Sequence, residues 1–330
     1  MYSKSIFGLG ALLALSTAIS SRAQQIEVLP VQGNIHVISG AGGNITVQTG
    51  KDGVLMVDTG LADAAPKVIA EIRKLSSAPV LFVINTHVHP DHVGGNEAIS
   101  KTRAGSANGA PIPTGGGGRI ELVDGEQQLK IIAQENVLIR MTTKGNGEAP
   151  APEAGLPEDE YFTPFKDLRF NGEAIVIYHE PNAHTDGDSV VLFRGSDVLS
   201  TGDIFTPEGY PFIDLQRGGS IEGEIAALNH ILDLTVPGKT QEGGTYVIPG
   251  HGRVCDEADV VEFRDMVVII TDRIKDMIKK GMTLEQVKAA RPSLDYDTEY
   301  VTPTSFVKAD QFVESIYKSL TQAKNGGSTK

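Results

Sequence analysis

Val31 to Val47 alternates short apolar stretches with Gly and Asn, which predicts short antiparallel strands joined by tight turns. Gly53–Gly60, "GVLMVDTG", reads as a short apolar strand ending in a turn. In residues 63–75, Val68, Ile69, Ile72 and Leu75 fall on one helical face, with Asp63 as the expected cap and Pro66 in the first turn. Val80–His87, "VLFVINTH", is a continuous apolar run, the mark of a strand buried on both faces. Residues 102–118 and 144–160 are rich in Gly, Pro and small residues and read as loops. Between them 124–141 is expected to be helical, with Leu129, Ile132, Val137 and Met141 as its apolar members.

"AIVIYHE", "SVVLFRGSDVLSTGD" and "TYVIPGHG" predict further strands, and "SIEGEIAALNHILDL" a helix. From Glu257 a long amphipathic helix is expected to stop at Gly281. Thr283 with Gln286 predicts a capping box opening the next helix before Pro292, and Ser305–Leu320 a last one. Interleaved strands and helices argue an α/β or α+β chain.

Composition narrows this. Met1–Ala23 has a basic Lys4, an apolar run from Ile6 to Ile19 and Ser21-Arg22-Ala23, which together read as a cleaved signal peptide. Its apolar run is shorter than the roughly 20 residues a spanning helix needs. The expected destination is periplasmic or extracellular, with no stable membrane anchor. Removing Lys4 and Arg22 takes the net charge below the -13 of the whole chain. An acidic chain repels phosphate backbones, so no nucleic-acid partner is expected and a small-molecule substrate is. One cysteine among 330 residues excludes an internal disulfide and a thiolate-rich zinc module.

The chemistry lies in "THVHPDH" at 86–92, where His87, His89, Asp91 and His92 follow a buried strand. Imidazole and carboxylate are ligands for zinc and its neighbours. Three later turns repeat the arrangement: His184 in "NAHTDGDS", Asp203 in "LSTGDIF" and His251 in "IPGHG". Gly94-Gly95 is expected to let the chain turn tightly into a helix. His36, His179 and His230 read as structural or packing residues, and Cys255 as a packed thiol. Asp186 and Asp188 read as fixing the His184 turn.

This order of residues resembles the metallo-β-lactamase superfamily, from about Ile35 to Gly252. The resemblance implies a four-layer αββα sandwich with metals at one edge of two packed sheets, over residues 24–254, and an added C-terminal helical segment over 255–330. It implies that His87, His89 and His184 hold one metal, that Asp91, His92 and His251 hold a second, and that Asp203 bridges both. Asp58 in "MVDTG" would support from outside, and Asp91 would also be the catalytic carboxylate. The implied cofactors are two Zn2+, with Fe or Mn as alternatives. The implied activity is hydrolysis of an ester, lactone, thioester or amide-like carbonyl by a metal-bridging hydroxide.

β-Lactam hydrolysis and an iron-dependent oxidation like that of persulfide dioxygenases are the alternatives. The best-known zinc β-lactamases carry Cys or Ser where Asp203 stands, which weighs against the first. Tyr210 is a candidate substrate-binding donor to an oxyanion, and Tyr161, Phe162 and Phe165 are candidates for a lid. The helix from Glu257 can serve a core or an interface, so a homo-oligomer is a further expectation.

Overall fold

The computed structural model describes residues 25–102, 129–143, 150–240, 243–303 and 305–326. The expected signal peptide and the glycine-rich stretch from 103 to 118 lie outside them.

The first sheet is built in chain order. Strands β1 (Glu27–Gln32), β2 (Ile35–Ala41), β3 (Gly43–Gly50) and β4 (Gly53–Val57) form an antiparallel meander. Helix α1 (Ala65–Leu75) then crosses to β5 (Val80–Ile84), which pairs parallel to β4. The short helices α2 (Pro90–Val93) and α3 (Asn96–Lys101) follow. Strand β6 (Lys130–Gln134), helix α4 (Glu135–Thr142) and strand β7 (Asp159–Tyr161) finish this seven-stranded sheet.

The second sheet has five strands: β8 (Phe165–Phe170), β9 (Glu173–Glu180), β10 (Asp188–Phe193) and β11 (Val198–Gly202) run antiparallel. After helix α5 (Ile221–Leu234), strand β12 (Tyr246–Pro249) adds parallel to β11. Helices α6 (Glu257–Lys279), α7 (Leu284–Ala290), α8 (Asp297–Tyr300) and α9 (Ala309–Gly326) complete the chain.

Side-chain alternation explains the layering. Leu55 and Val57 of β4 face inward, where they join Ile177, Val191 and Phe193 of the other sheet. Val54 and Met56 face outward against Val68 and Ile72 of α1. With both faces covered, all of β4 is buried, as its unbroken apolar run requires. Outside the second sheet, Val190, Leu199 and Val247 share one core with Ile231 of α5, Phe263 and Ile270 of α6, and Phe312 of α9. The order is helix, sheet, sheet, helix, as expected. The C-terminal helices are built into the fourth layer through that shared core.

Three local expectations are corrected. The stretch expected as a helix over 124–141 is, where described, strand β6 followed by helix α4; residues 124–128 lie outside the described residues. Ile131, Ile132 and Ala133 are wholly buried between β5 and β7, so tertiary burial overrides a helical reading of their spacing. Asp63 does not cap α1: the N-cap is Ala64, with no side-chain hydrogen bond. Gly94 and Gly95 are needed for close approach, because a Cβ would lie 2.8 Å from Ala62 N at the first and 2.5 Å from Thr59 O at the second. The capping box at Thr283 and Gln286 forms as predicted.

One buried group stands apart. Glu224, in the first turn of α5, is fully buried, and neither carboxylate oxygen has a hydrogen-bond partner among the described residues. Burial, then the charges of Asp188 and Asp203, push its carboxyl well above the usual carboxylate range. A raised carboxyl contributes stability that is complete below its unfolded value and is lost as pH rises through its folded one. Glu224→Met should therefore raise the urea midpoint, by more at pH 8 than at pH 5, with a gain of about 1–3 kcal/mol. An equal or opposite effect at the two pH values contradicts a protonated Glu224.

Candidate metal centre

All seven expected donors converge at one edge of the sandwich, at strand ends that face the same way. His87 and His89 follow β5, and Asp91 and His92 lie in α2. His184 lies between β9 and β10, Asp203 follows β11, and His251 follows β12. The donor atoms fall into two groups, each lying within 4.8 Å: His87, His89, His184 and Asp203, and then Asp91, His92 and His251.

Asp203 joins the groups. Its Oδ2 lies 3.8 Å from Nε2 of both His87 and His184. Its Oδ1 lies 3.1 Å from His92 Nε2 and 3.5 Å from His251 Nε2, and Asp91 Oδ2 is 3.2 Å from His251 Nε2. Tetrahedral coordination at about 2.0–2.1 Å sets donors roughly 3.3–3.4 Å apart, so these spacings suit a cation.

The hydrogen bonds fix which nitrogen each imidazole turns inward. Thr86 gives its hydroxyl proton to Asp58 Oδ2, at 2.7 Å, so its oxygen accepts from His87 Nδ1 at 3.0 Å. His89 Nε2 donates to Asp214 Oδ2 at 3.0 Å, His184 Nδ1 to Phe212 O at 2.5 Å, and His92 Nδ1 to Asp58 Oδ2 at 2.7 Å. In each of these rings the other nitrogen then faces the cluster. His89 Nδ1 and His184 Nε2 face each other across 2.9 Å. Buried His87 Nε2, His92 Nε2 and Asp203 Oδ1 have no well-formed hydrogen bond. A cation held there would satisfy these atoms, so the residues fit the group they were expected to hold.

Electrostatics without a cation point the same way. Burial, and then neighbouring His92, holds His87 well below the ordinary histidine value, and burial takes His184 down to about 4. Burial opposes charge on His92 and His251 too, but Asp203 outweighs it, with Asp58 acting on the first and Asp91 on the second. His92 is pushed well above its ordinary value and His251 up to about 9. Protons thus do part of the charge balancing that a metal would do.

The surroundings are shaped around the donors. At Gly250 a Cβ would lie 1.9 Å from Asp203 Oδ1, and at Gly43 a Cβ would lie 2.6 Å from the His92 ring. Asn44 ties the sheets together beside His251, its amide donating to Pro249 O and Gly252 O, each at 2.9 Å. Asp58 holds the left-handed conformation, with φ of 66°, and also accepts the Thr86 N–H at 2.8 Å.

Several supporting residues were not read from the sequence. Asp214 holds His89 and also accepts from the Arg217 guanidinium at 2.8 Å. Arg140 of α4 forms two bonds to Asp186, at 2.7 and 2.5 Å, and Asn136 donates to Asp186 O at 3.0 Å. Helix α4 thereby clamps the turn that carries His184. Arg140→Leu should weaken zinc binding about tenfold, measured by competition with a chromophoric chelator; unchanged affinity would refute the clamp.

Asp188 fixes the same turn locally, accepting from Thr185 N and Oγ1 at 2.7 and 2.6 Å. Asp186 differs from expectation in reaching a distant helix. His179 donates to Asp186 O, and His230 pairs with Glu180; neither belongs to the metal cluster. Cys255 is buried, as expected.

His89, Asp91, Asp203 and His251 form the floor of a cavity of about 590 Å³, with His87, His92 and His184 buried behind them. Tyr210, Phe212, Phe306 and Val307 supply its apolar wall and Arg217 a cationic point. Tyr210 borders this space, but its hydroxyl is committed to Asp297 Oδ1 at 2.9 Å and Ser293 O at 3.2 Å. Its ring stacks between Tyr300 and Phe312, so it is a wall residue and not an oxyanion donor. The expected lid is also corrected. Tyr161 is a core residue bonded to Ser189, and neither Phe162 nor Phe165 lines the cavity.

Residues 38–251 match the family model described as the metallo-beta-lactamase superfamily. The chain belongs to that superfamily. Among curated proteins, a linear primary-alkylsulfatase from Pseudomonas sp. is 32% identical over 272 residues, covering 71% of this chain and 47% of the relative. A stereoselective inverting sec-alkylsulfatase from Pseudomonas sp. superposes with a TM-score of 0.64 at 16% identity, covering 89% of this chain and 50% of that one. A metallo-beta-lactamase from Pontibacter korlensis gives a TM-score of 0.54 at 16% identity, over 74% of this chain and 99% of that one.

This superfamily member thus spans about half the length of the alkylsulfatases it matches. Residues before the C-terminal helices make up about three quarters of the sequence. A match over 89% therefore reaches into those helices. Among the described residues no helix is long and apolar enough to cross a membrane.

Proposed function

We propose that this chain is a dinuclear metal-dependent hydrolase of esters that join a small acid to an apolar group, and that sulfate monoesters of apolar alcohols are its first substrate class. The observation that carries this is the pair of donor groups sharing Asp203 at the floor of a cavity with an apolar wall. The 32% identity to a linear primary-alkylsulfatase supports the choice of sulfate esters. Carboxylic esters, lactones and thioesters fit the same floor. Imidazole and carboxylate donors favour zinc, with iron and manganese as the other candidates.

His87, His89 and His184 would hold one ion, Asp91, His92 and His251 the other, and Asp203 both. Bound there, divalent ions supply Lewis acidity, which makes water more acidic and polarises the ester. The chain's own residues do the rest. Burial raises the Asp91 carboxyl, but bonding to His251 and the charge of His92 more than offset this and hold it below its usual range. It therefore stays ionised, and it orients the attacking water by accepting its hydrogen bond. Asp58, Asp214 and Thr86 keep the imidazoles turned inward. Arg217, held by Asp214, gives the cavity wall a positive point that attracts an anionic ester into an acidic protein.

The test is a substrate panel on the zinc-loaded protein: octyl sulfate, 4-nitrophenyl octanoate, a lactone, a thioester and a β-lactam. The proposal expects metal-dependent release of sulfate from octyl sulfate. Turnover of the β-lactam alone, or of no ester, would sink it.

A further inference from the structure

We propose that the aromatic pair Phe212–Phe306 sets the chain-length specificity of this site by gripping the apolar tail of the substrate. The inference rests on the ester-hydrolase reading above. Phe306 is 80% exposed, so folding gives it almost no burial. An isolated exposed apolar residue is ordinary, but Phe306 is not isolated. Its ring meets Phe212 edge to face, at 5.3 Å between centroids. Phe212 in turn lies 5.9 Å from the His89 ring and 5.8 Å from the His184 ring. An aromatic surface therefore runs from two metal donors out to solvent, along one wall of the cavity.

The segment that presents Phe306 is held in place. Thr302 N donates to Ser305 Oγ at 2.7 Å, and Lys308 Nζ donates to the carbonyls of Thr302 and Pro303 at 3.0 Å each. Val307, next in the chain, is buried in the core shared with the C-terminal helices. Phe306 is thus an exposed ring on an anchored backbone, and it comes from the part of the chain that lies outside the superfamily match. A methylene removed from water is worth about 0.8 kcal/mol, close to fourfold in affinity. A tail lying along this wall gains that factor per methylene until it passes Phe306.

The test separates tail binding from turnover. Octanesulfonate and ethanesulfonate carry the same anionic head, and their C–S bonds do not hydrolyse. Their affinities for the zinc-loaded full chain are measured by calorimetry, below the micelle concentration. Wild type should prefer octanesulfonate strongly, and Phe306→Ala should lower the octane-to-ethane affinity ratio about tenfold. Phe162→Ala removes a Phe that is 75% exposed and outside the cavity, and it should keep the wild-type ratio.

No preference in wild type, an unchanged ratio in Phe306→Ala, or an equal fall in Phe162→Ala overturns the proposal. An unchanged ratio with ester turnover intact removes the aromatic grip and leaves the hydrolase reading standing. A tenfold fall in a protein that turns over no ester upholds the tail site and removes the hydrolase reading.

Discussion

Asp203→Ala should leave the fold intact, abolish the two-metal stoichiometry and lower turnover by about 10³-fold, roughly 4 kcal/mol of barrier. Asp203 sends one oxygen to each donor group, so its loss would take a donor from both. It also removes the negative charge that holds His92 and His251 protonated when no metal is bound. Five imidazoles would then face one another without a central anion. Asp203→Asn keeps one oxygen and should retain a single ion. Metal content by plasma mass spectrometry, beside steady-state rates, checks both. Two ions per chain in Asp203→Ala would reject the bridging role.

Asp58→Ala should cost nearly as much without touching a metal. Asp58 accepts the His92 imidazole N–H, the Thr86 N–H and the Thr86 hydroxyl. Through Thr86 it also sets the tautomer of His87. Two donors in different groups thus depend on one carboxylate. Loss of such outer partners weakens metal binding by about 10–100-fold. The backbone adds a second penalty, since a φ of 66° costs an alanine about 1–2 kcal/mol while Asn tolerates it. Asp58→Asn should therefore bind metal weakly yet unfold near the wild-type temperature, and Asp58→Ala should fail on both counts. Zinc competition and thermal unfolding separate the two effects. Equal melting temperatures for the two variants would contradict the backbone argument, and wild-type zinc affinity in Asp58→Asn would contradict the tautomer argument.

The sequence made the donors legible because each follows an apolar strand, and strand ends in a sandwich meet at one edge. Asp58 came from the resemblance to the superfamily, through its place in "MVDTG" at a strand end. The failures have physical causes. Ile131, Ile132 and Ala133 carry no periodicity that separates a buried strand from a helix, and their place between β5 and β7 decides it. Strand β8 lies at a sheet edge, and its mixed polar and apolar residues give little signal. Asp214 meets His89 across 125 positions of sequence, a pairing no local pattern announces. Tyr210 lines the cavity but is no donor, because Asp297 and Ser293, far along the chain, claim its hydroxyl. Phe306 stands on a C-terminal segment whose place over the site comes from packing alone.

The central claim is that two divalent ions, held by seven named residues, make this chain an ester hydrolase. The most direct measurement is metal content and octyl sulfate turnover on one sample, before chelation, after chelation and after zinc is restored. The account predicts two ions per chain, loss of turnover with loss of metal, and recovery of both together. Undiminished turnover in the metal-free protein would contradict it.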